Sequence, residues 1–237
     1  MKVALVCIAK NEDNYIEEWI NYHKKLGFDD IFIYQNDWRC NLTLPNVTKI
    51  EIDGINKQRE AYAHFVKNYV GRYDWVAFFD VDEFLVLKLD KTVKDFLQNY
   101  SEYPAVGISW VLFGNNNLDK VDGDYSLVRR FTKRQKDVNN HVKCIVKLTP
   151  KLVMDIHNPN CVWVDPHKRV NSGPFAGTPS DDIAQLNHYF CKTEEEFIEK
   201  CNRGRADSPV YKRTIAEYSG HNFNDIEDLS AYKFLYK

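Results

Sequence analysis

Hydrophobic positions in the first third of the chain follow two periods. Residues 3–9 and 75–79 are continuous apolar runs, which are typical of strands buried on both faces of a sheet. Residues 14–26 and 56–70 carry apolar side chains at helical spacing, and a glycine ends each stretch. Strands that alternate with helices indicate crossover connections and a largely parallel sheet. Shorter apolar runs predict two more strands, at residues 30–34 and 47–52.

The pattern becomes less regular after Phe84. Short helices are predicted at residues 90–99 and 193–202, and the second begins with Thr193 and Glu196 at the spacing of a capping box. We therefore expect an α/β fold with helices on both faces of a mostly parallel sheet and a smaller mixed β region in the second half. The remaining apolar runs predict strands at residues 105–113, 125–131, 142–148, 152–156, 162–164 and 185–191, with loops at 114–124 and 171–182.

Length, charge and cysteine spacing narrow the class of protein. A chain of 237 residues is long enough for one α/β domain with its own core. The net charge of −2 gives no basic field that would attract nucleic acid. The 6 cysteines include no CxxC pair, so we expect reduced thiols rather than a disulfide framework or a zinc site. No apolar run reaches the length of a membrane span, and residues 3–9 predict a strand rather than a signal peptide.

Two aspartates stand one residue apart where the apolar run 75–79 ends. In open α/β sheets, ligands bind outside the carboxyl ends of the strands, so Asp80 and Asp82 would lie at a site. Paired carboxylates repel each other, and a hard divalent cation such as Mg²⁺ or Mn²⁺ relieves that repulsion. The alternative is a solvated turn. Phosphohydrolases of the haloacid dehalogenase type share the motif, but they usually carry Thr or Val at the position of Phe84.

Several short segments carry more information together than the aspartate pair does alone. They are residues 9–12, 15–20, 22–23, 27–28, 33–37, 58, 61–62, 79–84, 143–146, 157 and 187–189. With these segments in this order, the chain resembles GT-A-type glycosyltransferases that are family 2-like, and especially the family 92-like branch. The resemblance implies a GT-A-like glycosyltransferase domain over residues 1–205, followed by a C-terminal extension over 206–237. Residues 1–104 would bind the nucleotide-sugar, and residues 105–205 would bind the acceptor and complete the metal site.

The resemblance also implies where the donor and the metal bind. In such folds the second aspartate, here Asp82, binds the metal, and the first, Asp80, reaches the ribose or the metal through water. His188 would complete the metal shell, so the expected ligands of Mn²⁺ or Mg²⁺ are Asp80, Asp82 and His188. Positive charge near the diphosphate is expected from Lys143, Arg203 and Arg205. The expected nucleotide-sugar contacts are Ala9, Lys10, Asn11, Glu12, Asn36, Asp37, Gln58, Arg59, Tyr62, Asp80, Val81 and Lys143.

The acceptor side rests on fewer residues. Trp110 and Phe113 are expected to stack on an acceptor sugar, with burial in the core as the alternative for both. An inverting transferase needs a base that deprotonates the acceptor hydroxyl. We predict Asp122, Asp124 or His157 for this role. Asp119, Asp155 and Glu83 stay open as alternatives.

The combined prediction is a metal-dependent glycosyltransferase that inverts the anomeric centre of its donor, a UDP-sugar first. The acceptor would be a glycan or a lipid-linked saccharide in polysaccharide assembly. We expect a cytoplasmic location, with peripheral recruitment wherever the acceptor lies at a membrane. The alternatives are a nucleotidyltransferase, a phosphohydrolase and a non-catalytic sugar-nucleotide binder. A nucleotidyltransferase would need a Gly-rich loop after the first strand, and Lys10-Asn11-Glu12 contains no glycine.

Overall fold

The computed structural model describes residues 1–204 and 213–237, and its elements form an α/β fold. Its strands are β1 (Val3–Ala9), β2 (Asp30–Gln35), β3 (Val47–Glu51), β4 (Trp75–Phe78), β5 (Glu83–Leu87), β6 (Ala105–Leu112), β7 (Lys133–Arg134), β8 (Val142–Lys147), β9 (Trp163–Val164), β10 (Val170–Asn171), β11 (Ala184–His188) and β12 (Ile226–Glu227). Its helices are α1 (Ile16–Lys25), α2 (Gln58–Tyr69), α3 (Val93–Gln98), α4 (Leu127–Arg130), α5 (Glu194–Arg203), α6 (Ile215–His221) and α7 (Ser230–Tyr236).

A 10-stranded sheet organises the molecule, with the strand order β10-β9-β6-β8-β4-β1-β2-β3 and with β11 and β5 joined to it through β6. The strands β4, β1, β2 and β3 run parallel to one another. Their carboxyl ends therefore meet at one edge of the sheet. The strand β8 runs antiparallel to both β4 and β6. The predicted sheet is confirmed, with its parallel part in the first half of the chain and its mixed part in the second.

The strand β6 connects the parallel sheet to the chain segment that follows the aspartate pair. Its first residues pair with β8, and its last residues, Trp110 to Leu112, pair with β11. The strand β11 in turn runs antiparallel to β5, with His188 opposite Glu83. In addition, the amide of Tyr189 donates to the carbonyl of Asp82 at 2.9 Å. This pairing brings the end of β11 beside the turn that carries the aspartates.

Helices cover both faces of the sheet, as the sequence predicts. Alternate residues of β1 belong to two separate hydrophobic clusters, since Leu5 packs with Trp19 of α1 and Val6 packs with Phe65 of α2. Such alternation is what a strand buried on both faces requires. None of the six cysteines is paired in a disulfide in the described structure. Within residues 1–204 and 213–237, no helix is long and apolar enough to cross a membrane.

Three parts of the predicted secondary structure differ from the structure. The predicted strand 125–131 is wrong, because the segment contains α4, which Ser126 caps by accepting from the amide of Arg129. The predicted strand 152–156 is also wrong, because the segment contributes only an isolated bridge between Met154 and Pro159. The strand β5, directly after the aspartate pair, was not predicted at all.

Candidate functional site

The loops after β1 and β2 form one wall of the site. Lys10 Nζ and Asp37 Oδ2 are 3.0 Å apart, and Asp37 Oδ1 accepts from the amide of Gly54. Asn36 is buried and donates to the carbonyls of Ile52 and Gly54. Asn11 and Asp37 both have positive φ values, which Asn and Asp tolerate better than most residues. The structure thus brings the predicted nucleotide-facing residues of these loops to one edge of the sheet.

Asp80 lies at the end of β4 and is paired with a buried lysine. Lys143 Nζ of β8 is 2.9 Å from Asp80 Oδ2. The side-chain amide of Gln58 donates to Asp80 Oδ1 at 3.3 Å. Burial alone would lower the pKa of Lys143, but Asp80, together with Glu83, raises it above its usual value. Burial raises the pKa of Glu83 well above its usual range. Asp80 is therefore the carboxylate that chiefly balances Lys143.

The residues around the start of α2 are divided between the interior and the surface. Tyr62 is fully buried, and its hydroxyl accepts from the side-chain amide of Gln58 at 2.9 Å. Tyr62 therefore helps to orient the Gln58 side chain that contacts Asp80. Arg59 points to the surface instead, where its Nε lies 2.7 Å from Asp155 Oδ1. Both side chains of that pair are about half exposed. Arg59 is thus held by Asp155 rather than by the aspartate pair.

Asp82 faces a different set of partners from Asp80. Lys200 Nζ of α5 donates to Asp82 Oδ2 at 2.7 Å, and His188 Nε2 lies 3.7 Å from Asp82 Oδ1. Burial would raise the pKa of Asp82, but Lys200 and His188 hold it well below its usual range. Burial lowers the pKa of His188 below its usual value. The Nδ1 atom of His188 is buried and has no hydrogen-bond partner among residues 1–204 and 213–237.

A cleft of about 440 Å³ opens beside this group and is lined mainly by charged and polar side chains. Lys192, Lys200 and Arg203 are its cations. Glu12 balances two of them, because Arg203 binds its Oε1 and Lys192 Nζ lies 3.7 Å from its Oε2. Burial lowers the pKa of Lys192 to about 8. The cleft lining is completed by Asn11, Tyr15, Glu196, Glu199 and Asn202.

Helix α5 supplies two of these cations, Lys200 and Arg203, from one face. Glu196, Lys200 and Arg203 follow helical spacing, so their side chains project in nearly the same direction. The predicted capping box is confirmed, since Thr193 and Glu196 exchange both of its hydrogen bonds. Glu196 is also held by Arg130 through both carboxylate oxygens and by the hydroxyl of Tyr15. The start of α5 is therefore fixed to both α4 and the loop before α1.

The residues present fit a divalent cation as a two-residue site. Asp82 and His188 offer one carboxylate oxygen and one imidazole nitrogen side by side. Asp80 does not join them, because Lys143 and Gln58 hold it. Among the described residues, no group of three His, Cys, Asp or Glu side chains is placed to hold a metal ion. Substrate phosphates would have to complete the coordination, as they often do for Mg²⁺. Metal binding itself stays a prediction.

A row of aromatic rings lies beside His188. Trp110 stacks on His141 with ring centroids 5.0 Å apart, and it also contacts His157 and His188. Phe175 packs edge-on against His141 and is 48% exposed, so this row reaches the surface. Phe113 instead is fully buried against Tyr189, which supports the core alternative for that residue. Phe175 is an exposed aromatic that sequence reasoning missed, because it lies in a Gly/Pro-rich loop.

The three predicted catalytic residues, His157, Asp122 and Asp124, have different surroundings. His157 lies against Trp110 and His141, and its Nδ1 is 3.3 Å from the carbonyl of Val142. Asp124 is occupied by Arg129 and by the amide of Ser126. Asp122 accepts from the amide of Asp124. The hydrogen bonds of these two aspartates are thus to residues of their own loop and of α4, whereas His157 borders the Lys143 side of the site.

Three further predicted residues have simple outcomes. Ala9 and Val81 are buried, so their side chains pack in the core and only their backbone atoms border the edge of the sheet. Arg205 lies outside the described residues.

Two residues at the centre of the site, Lys192 and Lys200, were not predicted. The available signal was the helical spacing of Lys200 with Glu196 and Arg203, directly after the strand that carries His188.

Comparison with known proteins identifies the family. The model of glycosyltransferase family 92 matches residues 44–219, which is more than half of the 237 residues. The chain belongs to glycosyltransferase family 92. The matched region of this family 92 chain contains the aspartate pair, Lys143, His157 and His188, together with α5. The family part of the predicted resemblance is therefore confirmed.

Curated family 92 proteins from plants are similar to the chain along most of its length. It is 27% identical over 214 residues to a glycosyltransferase family 92 protein of Oryza sativa subsp. japonica, covering 84% of this chain and 35% of that protein. It is 25% identical over 218 residues to one of Ricinus communis, covering 85% of this chain and 38% of that protein. The family 92 chain thus spans little more than a third of the length of these relatives.

Two solved structures of low identity are similar to part of the chain. One is S. aureus TarS in complex with UDP-GlcNAc, with 17% identity, a TM-score of 0.37, and coverage of 46% of this chain and 34% of that chain. Another is an active-site mutant of LgtC, with 11% identity, a TM-score of 0.32, and coverage of 62% of this chain and 58% of that chain.

Proposed function

We propose that the chain is a GT-A-type, metal-dependent glycosyltransferase that uses a nucleotide-sugar, a UDP-sugar first, and inverts the sugar on transfer to a saccharide acceptor. The observation that carries the proposal is the juxtaposition of the Asp82–His188 pair with a cleft lined by Lys192, Lys200 and Arg203. A carboxylate and an imidazole suit a divalent cation, and clustered cations suit a diphosphate. Membership of glycosyltransferase family 92 supports the same activity.

The donor would lie along the carboxyl edge of the parallel strands. The loops that carry Lys10, Asn36 and Asp37 would receive the nucleoside, since they follow β1 and β2 and expose polar groups there. The cations of α5 would then contact the diphosphate, whose charge grows as the bond to the sugar breaks. Mn²⁺ or Mg²⁺ held by Asp82 and His188 would offset part of that charge when bound.

His157 is our candidate for the residue that deprotonates the acceptor. Its contact with the carbonyl of Val142 places the proton on Nδ1, which leaves the Nε2 lone pair to accept another. Burial, with a contribution from Lys143, lowers the pKa of His157 to about 4, so the ring is neutral at physiological pH. The neighbouring ring of Trp110 provides a flat surface of the kind that sugars stack on. A glycan or lipid-linked saccharide acceptor would approach from this side, with peripheral recruitment where the acceptor lies at a membrane.

A panel of nucleotide-sugars tests the proposal directly. We expect one donor to raise the melting temperature of the protein in the presence of Mn²⁺ and to be hydrolysed slowly in the absence of acceptor. Asp82→Asn should lose both effects, because it removes the charge that faces the cation. Asp225→Asn, which alters an exposed carboxylate near β12, should retain both. A protein that no nucleotide-sugar stabilises, or an Asp82→Asn variant that behaves as wild type, would overturn the proposal.

Assays with other substrates, run beside the panel, separate the alternative functions. A nucleotidyltransferase would release pyrophosphate from a nucleoside triphosphate and a sugar phosphate. A phosphohydrolase would release inorganic phosphate and would lose activity in Asp80→Asn. A non-catalytic binder would be stabilised by the donor without hydrolysing it.

A further inference from the structure

Lys200 borders two different parts of the proposed site. Its Nζ donates to Asp82 Oδ2 at 2.7 Å and to the carbonyl of Phe190 at 3.0 Å. The side chains of Lys200 and Asp82 are 6% and 12% exposed, so this ion pair is well shielded from water. Lys200 nevertheless also lines the cleft, alongside Lys192 and Arg203. One ammonium group therefore lies between the carboxylate expected to bind a cation and the space expected to hold a diphosphate.

The present partners of Lys200 conflict with cation binding at Asp82. A divalent cation at Asp82 and His188 would lie next to the ammonium of Lys200, and like charges at short range in a shielded place repel strongly. Lys200 cannot simply lose its anion, because a buried unpaired ammonium is costly. A diphosphate in the cleft would provide a replacement anion on the side that Lys200 already faces. Lysine suits such an exchange, since its charge is compact and its stem is flexible.

We propose that Lys200 exchanges partners when the donor binds, leaving Asp82 for the diphosphate so that Asp82 can accept the divalent cation. This inference rests on the proposed function. Lys200 is the counter-ion of Asp82 in the free protein and a ligand of the diphosphate in the complex. The cation and the nucleotide then bind cooperatively, and each raises the affinity for the other by the same factor.

The other lysines of the site are placed differently. Lys143 is completely buried, pairs with Asp80, and does not line the cleft. Lys192 lines the cleft but has Glu12 as its nearest carboxylate, at 3.7 Å. Among the described cations that line the cleft, Lys200 is the one hydrogen-bonded to Asp82. Lys192 is therefore a matched control, because it faces the same space without occupying the same carboxylate.

Titrations of Mn²⁺ and UDP by calorimetry test the exchange without relying on activity. Wild type should bind Mn²⁺ weakly alone and on the order of tenfold more tightly with UDP, a factor typical of coupled sites. Lys200→Met should bind Mn²⁺ more tightly without UDP, also by on the order of tenfold, and should bind UDP less tightly. Its coupling between Mn²⁺ and UDP should be largely lost. Lys200→Gln, whose amide still donates to Asp82, carries the same expectation if the methionine variant does not fold.

Two controls define what would overturn the inference. Lys192→Met should weaken UDP binding without strengthening Mn²⁺ binding, and Lys200→Arg should keep Mn²⁺ binding weak because it keeps the charge. The inference fails if neither neutral variant at position 200 binds Mn²⁺ more tightly than wild type, or if Lys192→Met gives the same gain. If wild type binds neither UDP nor Mn²⁺, the proposed function itself fails. If wild type binds both and neither neutral variant at position 200 gains affinity for Mn²⁺, the partner exchange alone is wrong.

Discussion

Among single residues, Glu196 shows how several donors can keep a buried carboxylate charged. Its side chain is 3% exposed and binds Arg130, the hydroxyl of Tyr15 and both donors of Thr193. Burial would raise the pKa of Glu196, but these hydrogen bonds lower it to about 2, from a usual value near 4.5. Glu83 is also buried, but its Oε1 has no hydrogen-bond partner in the described part of the chain, and burial shifts its pKa upward instead. The number of donors, more than burial itself, decides the direction of the shift.

Glu196→Gln should therefore change how stability depends on pH. Because the pKa of Glu196 is lower in the folded state, its contribution is fully present above pH 4.5 and is lost as the pH falls toward about 2. The variant should be less stable than wild type by about 3 kcal/mol at neutral pH, since Arg130 loses its charged partner. Urea unfolding should show this difference shrinking as the pH falls below 4.5. A difference that stays constant on acidification would show that another group causes it.

The roles of single residues in the site were only partly predictable from the sequence. Asp80 and Asp82 could be predicted because they directly follow an apolar run, which is local information. Lys200 could not be distinguished from a solvated helix residue, because its partner Asp82 is 118 residues away in the chain. Trp110 is in β6 and Phe113 directly follows that strand. Only the packing of Phe113 against Tyr189 and of Trp110 against His141 separates core from site.

Among the elements, local signals succeeded where the residues that stabilise an element are its neighbours in sequence. The capping box of α5 is such a signal, and it gave the correct start of that helix. Helix α4 depends instead on Glu18, whose carboxylate accepts from the Ser126 hydroxyl and from the amide of Leu127. Those contacts join residues more than 100 positions apart, so no local pattern shows them. The hydrophobic run of α4 was therefore mistaken for a strand.

The capping box of α5 should matter for binding as well as for stability. Thr193→Ala removes the side chain that caps the helix carrying Lys200 and Arg203, and we expect a loss of about 1 kcal/mol in stability. It should also weaken UDP binding several-fold, because the direction of α5 sets the positions of these cations. Thr92→Ala is the matched control, since Thr92 and Asp95 form the same capping box on α3. It should cost similar stability without changing UDP affinity, and an equal loss of binding in both variants would contradict the role assigned to α5.

At the scale of the whole molecule, residues 213–237 pack against the rest of the domain. Helix α7 packs Phe234 against Tyr22, and the backbone amides of Asn115 and Asn116 donate to the side-chain oxygens of Asn222 and Asn224. Gly114 allows this approach, because a Cβ at that position would be 2.2 Å from the carbonyl oxygen of Phe223. The sequence predicted the first-half alternation of strands and helices well, since each element there packs on its chain neighbours. It gave little warning of these contacts, which connect the loop after β6 to the end of the chain.

The link between the C-terminal residues and the sheet is concentrated at Asp228. Its Oδ2 accepts from Arg134 at 3.0 Å and from Gln185 of β11 at 2.9 Å, and its side chain is 8% exposed. Asp228→Asn leaves Arg134 with one carboxylate fewer, so we expect it to lower the free energy of unfolding by about 3 kcal/mol. If residues 213–237 fold as part of the domain, circular dichroism and tryptophan fluorescence should follow one coincident urea transition in wild type and variant. Asp225→Asn, nearby but exposed, should change stability by less than about 0.5 kcal/mol. A separate early transition in the Asp228 variant would mean that the C-terminal residues unfold independently and that the domain is complete without them.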